Sequence, residues 1–206
     1  MMNLANKLTV MRMILVPIFL VFLVFDCIPY GKLVATALFI IASITDKLDG
    51  YIARSRNQVT TFGKFLDPLA DKILVLSALV MLVEFGKIPA WIPAIVLTRE
   101  FLVSGYRLIA VEKGGQVIAA SIWGKIITVT QMIAIILMFA TPFNFFQFIG
   151  LSTNANTVAS SSFLVYATPV QYIITLLGSI FMAISVIATI GSGWNYLKGG
   201  KELFKD

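Results

Sequence analysis

Residues 45–72 read TDKLDGYIARSRNQVTTFGKFLDPLADK and place four aspartates, Asp46, Asp49, Asp67 and Asp71, inside an otherwise apolar chain. The sequence turns oily on both sides: residues 35–44 are ATALFIIASI and residues 73–83 are ILVLSALVMLV. Carboxylates set between such runs are costly in lipid, and acids inside membrane segments mark functional sites. Working outward from this stretch decides both the fold class and the chemistry.

Of the 206 residues, 59% are hydrophobic and 13% charged, and the mean hydropathy is +0.93. Soluble domains stay near 45–50% apolar, so the composition predicts an all-α integral membrane protein. Apolar runs approaching the ~20 residues of a bilayer crossing recur along residues 8–26, 33–54, 63–85, 90–111, 118–140 and 169–197. They predict six transmembrane helices in one domain, 1–206. Residues 1–12, MMNLANKLTVMR, place Leu4, Leu8 and Met11 at helical spacing and predict an N-terminal interfacial helix. Pro17 predicts a kink in the first span, and Pro68 can only kink or start the third. Residues 141–168 are polar and uncharged and are expected outside the cell.

Basic residues set the orientation. Lys7, Arg12, Arg54, Arg56, Lys64, Arg107, Lys113, Lys125, Lys198, Lys201 and Lys205 fall near one set of span ends, against Lys32 and Lys87 at the other. The positive-inside rule then predicts cytoplasmic termini and a cytoplasmic aspartate cluster, in the cell membrane. The net charge of +6 reads as topology and lipid-surface charge, and no nucleic-acid partner is expected. Histidine is absent and Cys27 is the only cysteine. That excludes Ser-His and Cys-His catalysis, imidazole zinc sites and an intrachain disulfide, leaving carboxylates, hydroxyls, lysine and arginine for chemistry.

Asp46 and Asp49 are three residues apart and Asp67 and Asp71 four, so on helices each pair projects from one face. Carboxylates so crowded repel unless cations neutralise them. Hard divalent ions, Mg²⁺ or Mn²⁺, suit oxygen donors, and two of them can clamp a diphosphate. Gly50, Ala53 and Gly63 are small residues around these pairs, which fits either close helix packing or a cleft for a nucleotide. Arg54 is placed to pair with phosphate or to anchor the helix end.

Together, Asp46-x-x-Asp49-Gly50-x-x-Ala53-Arg54, eight residues, and Gly63-x-x-x-Asp67-x-x-x-Asp71 resemble the signature of the CDP-alcohol phosphotransferase family at every fixed position. The resemblance implies that family's fold and a homodimer. It further implies metal binding by Asp46, Asp49, Asp67 and Asp71, a general-base role for Asp71, and CDP binding by Gly50, Ala53, Arg54 and Gly63. The segments NKLTVMRMILVPIF, FGKFLDPLADK, TREFLVSGYRL and WGKIITVTQM are most similar to the branch of the family that uses glycerol 3-phosphate. That branch usually has a second basic residue where this chain has Ile127. The implied reaction is CDP-diacylglycerol plus glycerol 3-phosphate giving phosphatidylglycerophosphate and CMP, with the lipid donor held from the membrane. Arg99, Arg107 and Lys125 are the expected partners of the acceptor phosphate; Arg99 beside Glu100 also offers an internal ion pair. Two alternatives stand beside this expectation: a sister transferase using inositol phosphate, serine or phosphatidylglycerol, and a divalent-cation transporter.

Overall fold

The computed structural model describes residues 4–25, 28–55, 61–112, 122–141 and 169–200, which among themselves contain helices and no strand. The helices are α1 (Leu4–Val24), α2 (Gly31–Ser55), α3 (Thr61–Glu84), α4 (Trp91–Glu112), α5 (Ile122–Ala140) and α6 (Pro169–Gly200). The expected interfacial segment is not a separate element where it is described. From Leu4 it forms the first turns of α1, which continues through Pro17 to Val24. Pro68 lies inside α3, so it does not start that helix.

The inward faces follow the helical repeat. On α1, Thr9, Arg12, Val16, Phe19 and Leu23 are buried at three- and four-residue spacing, and on α3 Ala70, Leu74, Ala78 and Leu82 do the same. Phe19 is the hub of the core. Its ring lies 6.0 Å from that of Phe39 and 5.9 Å, edge-on, from Phe139, which in turn meets Phe85 at 6.3 Å. These contacts tie α1, α2 and α5 to the end of α3. α5 and α6 share the most extensive interface, and α6 also packs on α4. Gly178 makes that closeness possible, because a Cβ there would sit 3.2 Å from Cβ of Leu137.

Outward faces are apolar as well: Ile14, Val21, Ile41, Ile44, Val80, Phe101, Ile187 and Trp194 are exposed. Surfaces of this kind are unusual on water-soluble monomers. α5 and the Pro169–Lys198 part of α6 are long and apolar enough to cross a membrane, while Thr9–Val24 and Gly31–Thr45 are shorter apolar stretches. Hydroxyls on both the inward and the outward faces satisfy themselves on their own helix. Thr36, Ser43, Thr45, Thr98, Thr175, Ser179 and Thr189 each donate to the carbonyl four residues earlier, which removes the cost of a bare polar group in apolar surroundings.

The end of α3 is built with care. Gly86 takes φ 65°, its N–H donates to Val83 O at 2.8 Å, and Lys87 N–H donates to Leu82 O at 2.8 Å. This paired pattern is a Schellman cap, which needs a left-handed residue and so favours glycine. The Lys87 side chain then turns inward and donates to the carbonyls of Met138 and Thr141, so one turn closes α3 and caps α5. Two basic residues used above to orient the chain are therefore buried: Lys87 is 8% exposed and Arg12 1%.

Candidate functional site

α2 and α3 touch, and only residues 56–60 separate their described ends. Asp46 and Asp49 lie on α2, Asp67 and Asp71 on α3. At 1.5 Å of rise per residue, Asp49 and Asp67 are each about 9 Å along their helices from that connection, and Asp46 and Asp71 about 14–15 Å. The two pairs thus lie at matching depths on consecutive helices. Gly50, Ala53 and Arg54 occupy the last turns of α2, and Gly63 the first turn of α3. The side chains of these eight residues lie outside the described set; their backbone positions do not. An all-oxygen donor set divided between neighbouring helix ends fits a hard divalent cation.

From Lys72 to Tyr106 the side chains are described as well. Lys72 on α3 reaches across to α4, where its Nζ lies 3.3 Å from Glu100 Oε2 and donates to Ser104 Oγ at 2.7 Å. Glu100 also accepts from Arg99 through Oε1. Arg99 in turn donates to Ser192 Oγ on α6, at 2.9 Å from one terminal nitrogen and 3.3 Å from Nε. A single polar chain, Lys72–Glu100–Arg99–Ser192, therefore fastens α3, α4 and α6 together. The ion pair expected as the alternative for Arg99 is present. It and the Ser192 contacts use three of the guanidinium's five N–H groups, which leaves donors for a ligand.

These groups border a cavity of about 200 Å³ whose lining includes Lys72, Val75, Arg99, Glu100, Thr128 and Gln131. Asp67, Asp71 and Val75 follow one another at four-residue steps, so the aspartate stripe of α3 leads to the cavity wall. Arg107 lies on the α4 stripe that carries Glu100 and Ser104, one turn nearer the helix end; its side chain is outside the described set. Lys125 is exposed on the first turn of α5, next to Gly124. A Cβ on Gly124 would lie 3.8 Å from the Arg99 guanidinium. Ile127 is buried and contributes apolar surface to the cavity.

Sequence reasoning passed over Lys72, Ser104, Ser192 and Gln131. Gln131 had a signal: it is the one carboxamide in the apolar run 126–139, and polar groups in such runs are expensive. Ser192 had none, because its partner is 93 residues away.

The sequence model of a family described as CDP-alcohol phosphatidyltransferase matches residues 2–191. A Bacillus subtilis (strain 168) protein named CDP-diacylglycerol–glycerol-3-phosphate 3-phosphatidyltransferase is 38% identical over 216 residues, covering 100% of this chain and 98% of that protein. A Rickettsia bellii protein of the same name is 34% identical, covering 98% of this chain and 97% of its own. A third, from Haemophilus influenzae, is 43% identical over 139 residues, covering 65% of this chain and 73% of its own.

Proposed function

This chain belongs to the CDP-alcohol phosphatidyltransferase family, and from that premise we propose that it makes phosphatidylglycerophosphate for phospholipid biosynthesis. It transfers the phosphatidyl group of CDP-diacylglycerol to the sn-1 hydroxyl of glycerol 3-phosphate and releases CMP. The observation that carries the reading is similarity along the whole chain to a transferase named for those two substrates. The matched depths of the aspartate pairs on α2 and α3 agree with it.

In this reading all six helices cross the cell membrane, with both termini and the aspartate end in the cytoplasm, and two chains form a homodimer. Asp46, Asp49, Asp67 and Asp71 would hold two Mg²⁺ or Mn²⁺ ions. When bound, such ions neutralise diphosphate charge that the protein would otherwise have to meet alone. Gly50, Ala53 and Gly63 leave room at the backbone for the CDP group, and Arg54 offers it a paired donor. Arg99, Arg107 and Lys125 hold the acceptor's phosphate, because a dianion leaving water needs charge-assisted donors. Asp71 accepts the proton of the sn-1 hydroxyl. That oxygen forms a bond to the β-phosphorus as the bond from phosphorus to the bridging oxygen breaks and CMP departs.

The aspartate assignment is tested by Asp67→Asn, assayed in detergent for CMP release with Mg²⁺ or Mn²⁺ supplied. Turnover should fall on the order of 10²–10³-fold or more. Activity near that of the wild type would remove Asp67 from the site.

A further inference from the structure

The cavity at the meeting of α3, α4 and α5 has three chemically distinct walls. α3 brings Lys72 and, through Val75, the stripe that carries Asp71; α4 brings Arg99 and Glu100; α5 brings Gln131. Gln131 is 5% exposed, and its side-chain Nε2 has no hydrogen-bond acceptor among the described residues. A buried amide donor is costly unless something accepts from it, so such a group calls for an explanation. At about 200 Å³ the cavity is smaller than the ~300–1,000 Å³ of pockets for drug-sized ligands. It holds the volume of roughly seven waters at ~30 Å³ each. That size suits a small hydroxylated solute.

We propose that Gln131 determines acceptor specificity by donating a hydrogen bond from its side-chain amide to the sn-2 hydroxyl of glycerol 3-phosphate. The proposal rests on the transferase reading above. An acceptor whose phosphate meets Arg99 and whose sn-1 hydroxyl meets the Asp71 stripe spans the α4 and α3 walls. Its middle carbon then faces α5, where Gln131 is the buried donor. Thr128, one turn earlier on α5, already donates its own hydroxyl to Gly124 O at 3.0 Å, so its hydroxyl proton is engaged. Ile127 on the same wall adds no polar group. The amide is thus the α5 donor with capacity to read a hydroxyl.

The test uses the full chain in detergent with CDP-diacylglycerol and a divalent ion. CMP release is compared for glycerol 3-phosphate and for propane-1,3-diol monophosphate, which lacks only the sn-2 hydroxyl. The wild type should favour glycerol 3-phosphate in kcat/KM by roughly 10- to 100-fold, the value of one buried donor left unpaired. In Gln131→Leu, and in Gln131→Met with its nearly unchanged side-chain length, that preference should collapse to within about 3-fold while KM for the CDP-lipid stays put. Both acceptors are read on one preparation, so loss of folded enzyme cancels in the ratio. A wild type that uses the two acceptors equally, or variants that keep the wild-type preference, would overturn the role of Gln131 and leave the transferase reading standing. A wild type that releases no CMP with glycerol 3-phosphate would overturn both.

Discussion

Lys87 shows how far one side chain can depart from its sequence context. It lies in a short polar turn, where a lysine ordinarily faces water, yet it is 8% exposed and caps α5 through the carbonyls of Met138 and Thr141. Burial, and then the nearby Lys32 charge, lower its pKa to about 8. Lys32 itself lies over the Phe85 ring, 4.8 Å from its centre. The unfolded chain, with an ordinary lysine near ~10.4, binds more protons than the folded one between the two values. Stability linked to Lys87 therefore rises as pH increases from about 8 toward that ordinary value, and the charged form is a burden below about 8. A neutral amine still has two N–H groups for its two carbonyls. Measured as Tm in detergent across this window, the wild type should gain on Lys87→Met with rising pH. A constant difference between the two would refute the assignment. The same inward turn explains why residue identity was a partial guide. The carboxylate spacing was legible because it repeats with the helix, whereas the burial of Lys87 and Arg12 depends on neighbours distant in sequence.

Among the elements, helix existence and approximate limits were legible, because Gly, Pro and charged residues punctuate long apolar runs. The run read as 33–54 forms Gly31–Ser55, and that read as 63–85 forms Thr61–Glu84. The lead-in at residues 1–12 is, where it is described, continuous with α1. Its spacing of Leu4, Leu8 and Met11 is the same repeat that α1 continues, so nothing ends the helix before Val24. Helix pairing was not legible, since apolar residues cover both the inward and the outward faces. In lipid, where burial from water cannot drive helices together, close packing decides association. Gly31 is such a point, because a Cβ there would lie 2.5 Å from the backbone oxygen of Phe22. Gly31→Ala should push α1 and α2 apart at a cost of about 1–3 kcal/mol, read as a fall of several degrees in Tm by thermal unfolding in detergent. An unchanged Tm would show that the turn absorbs the methyl group.

For the whole molecule, the stretch proposed to hold the donor, residues 45–72, could be picked out from sequence because its acids fall on two consecutive helix ends, α2 and α3, with a short connection between them. The acceptor half was only partly legible. The cavity proposed for it is lined from α3, α4 and α5 with Arg99 tied to α6, and residues such as Ser192 and Gln131 stand out only once those helices are side by side. Family membership ties the halves together, and the central claim is that this chain joins a CDP-activated lipid to glycerol 3-phosphate. The most direct measurement is CMP release from CDP-diacylglycerol by the purified full chain, with glycerol 3-phosphate, inositol phosphate, serine and phosphatidylglycerol offered in turn, each with and without a metal chelator. Rapid release with glycerol 3-phosphate alone, abolished by the chelator, is the predicted result; faster release with another of these acceptors, or release that persists in the chelator, would contradict it.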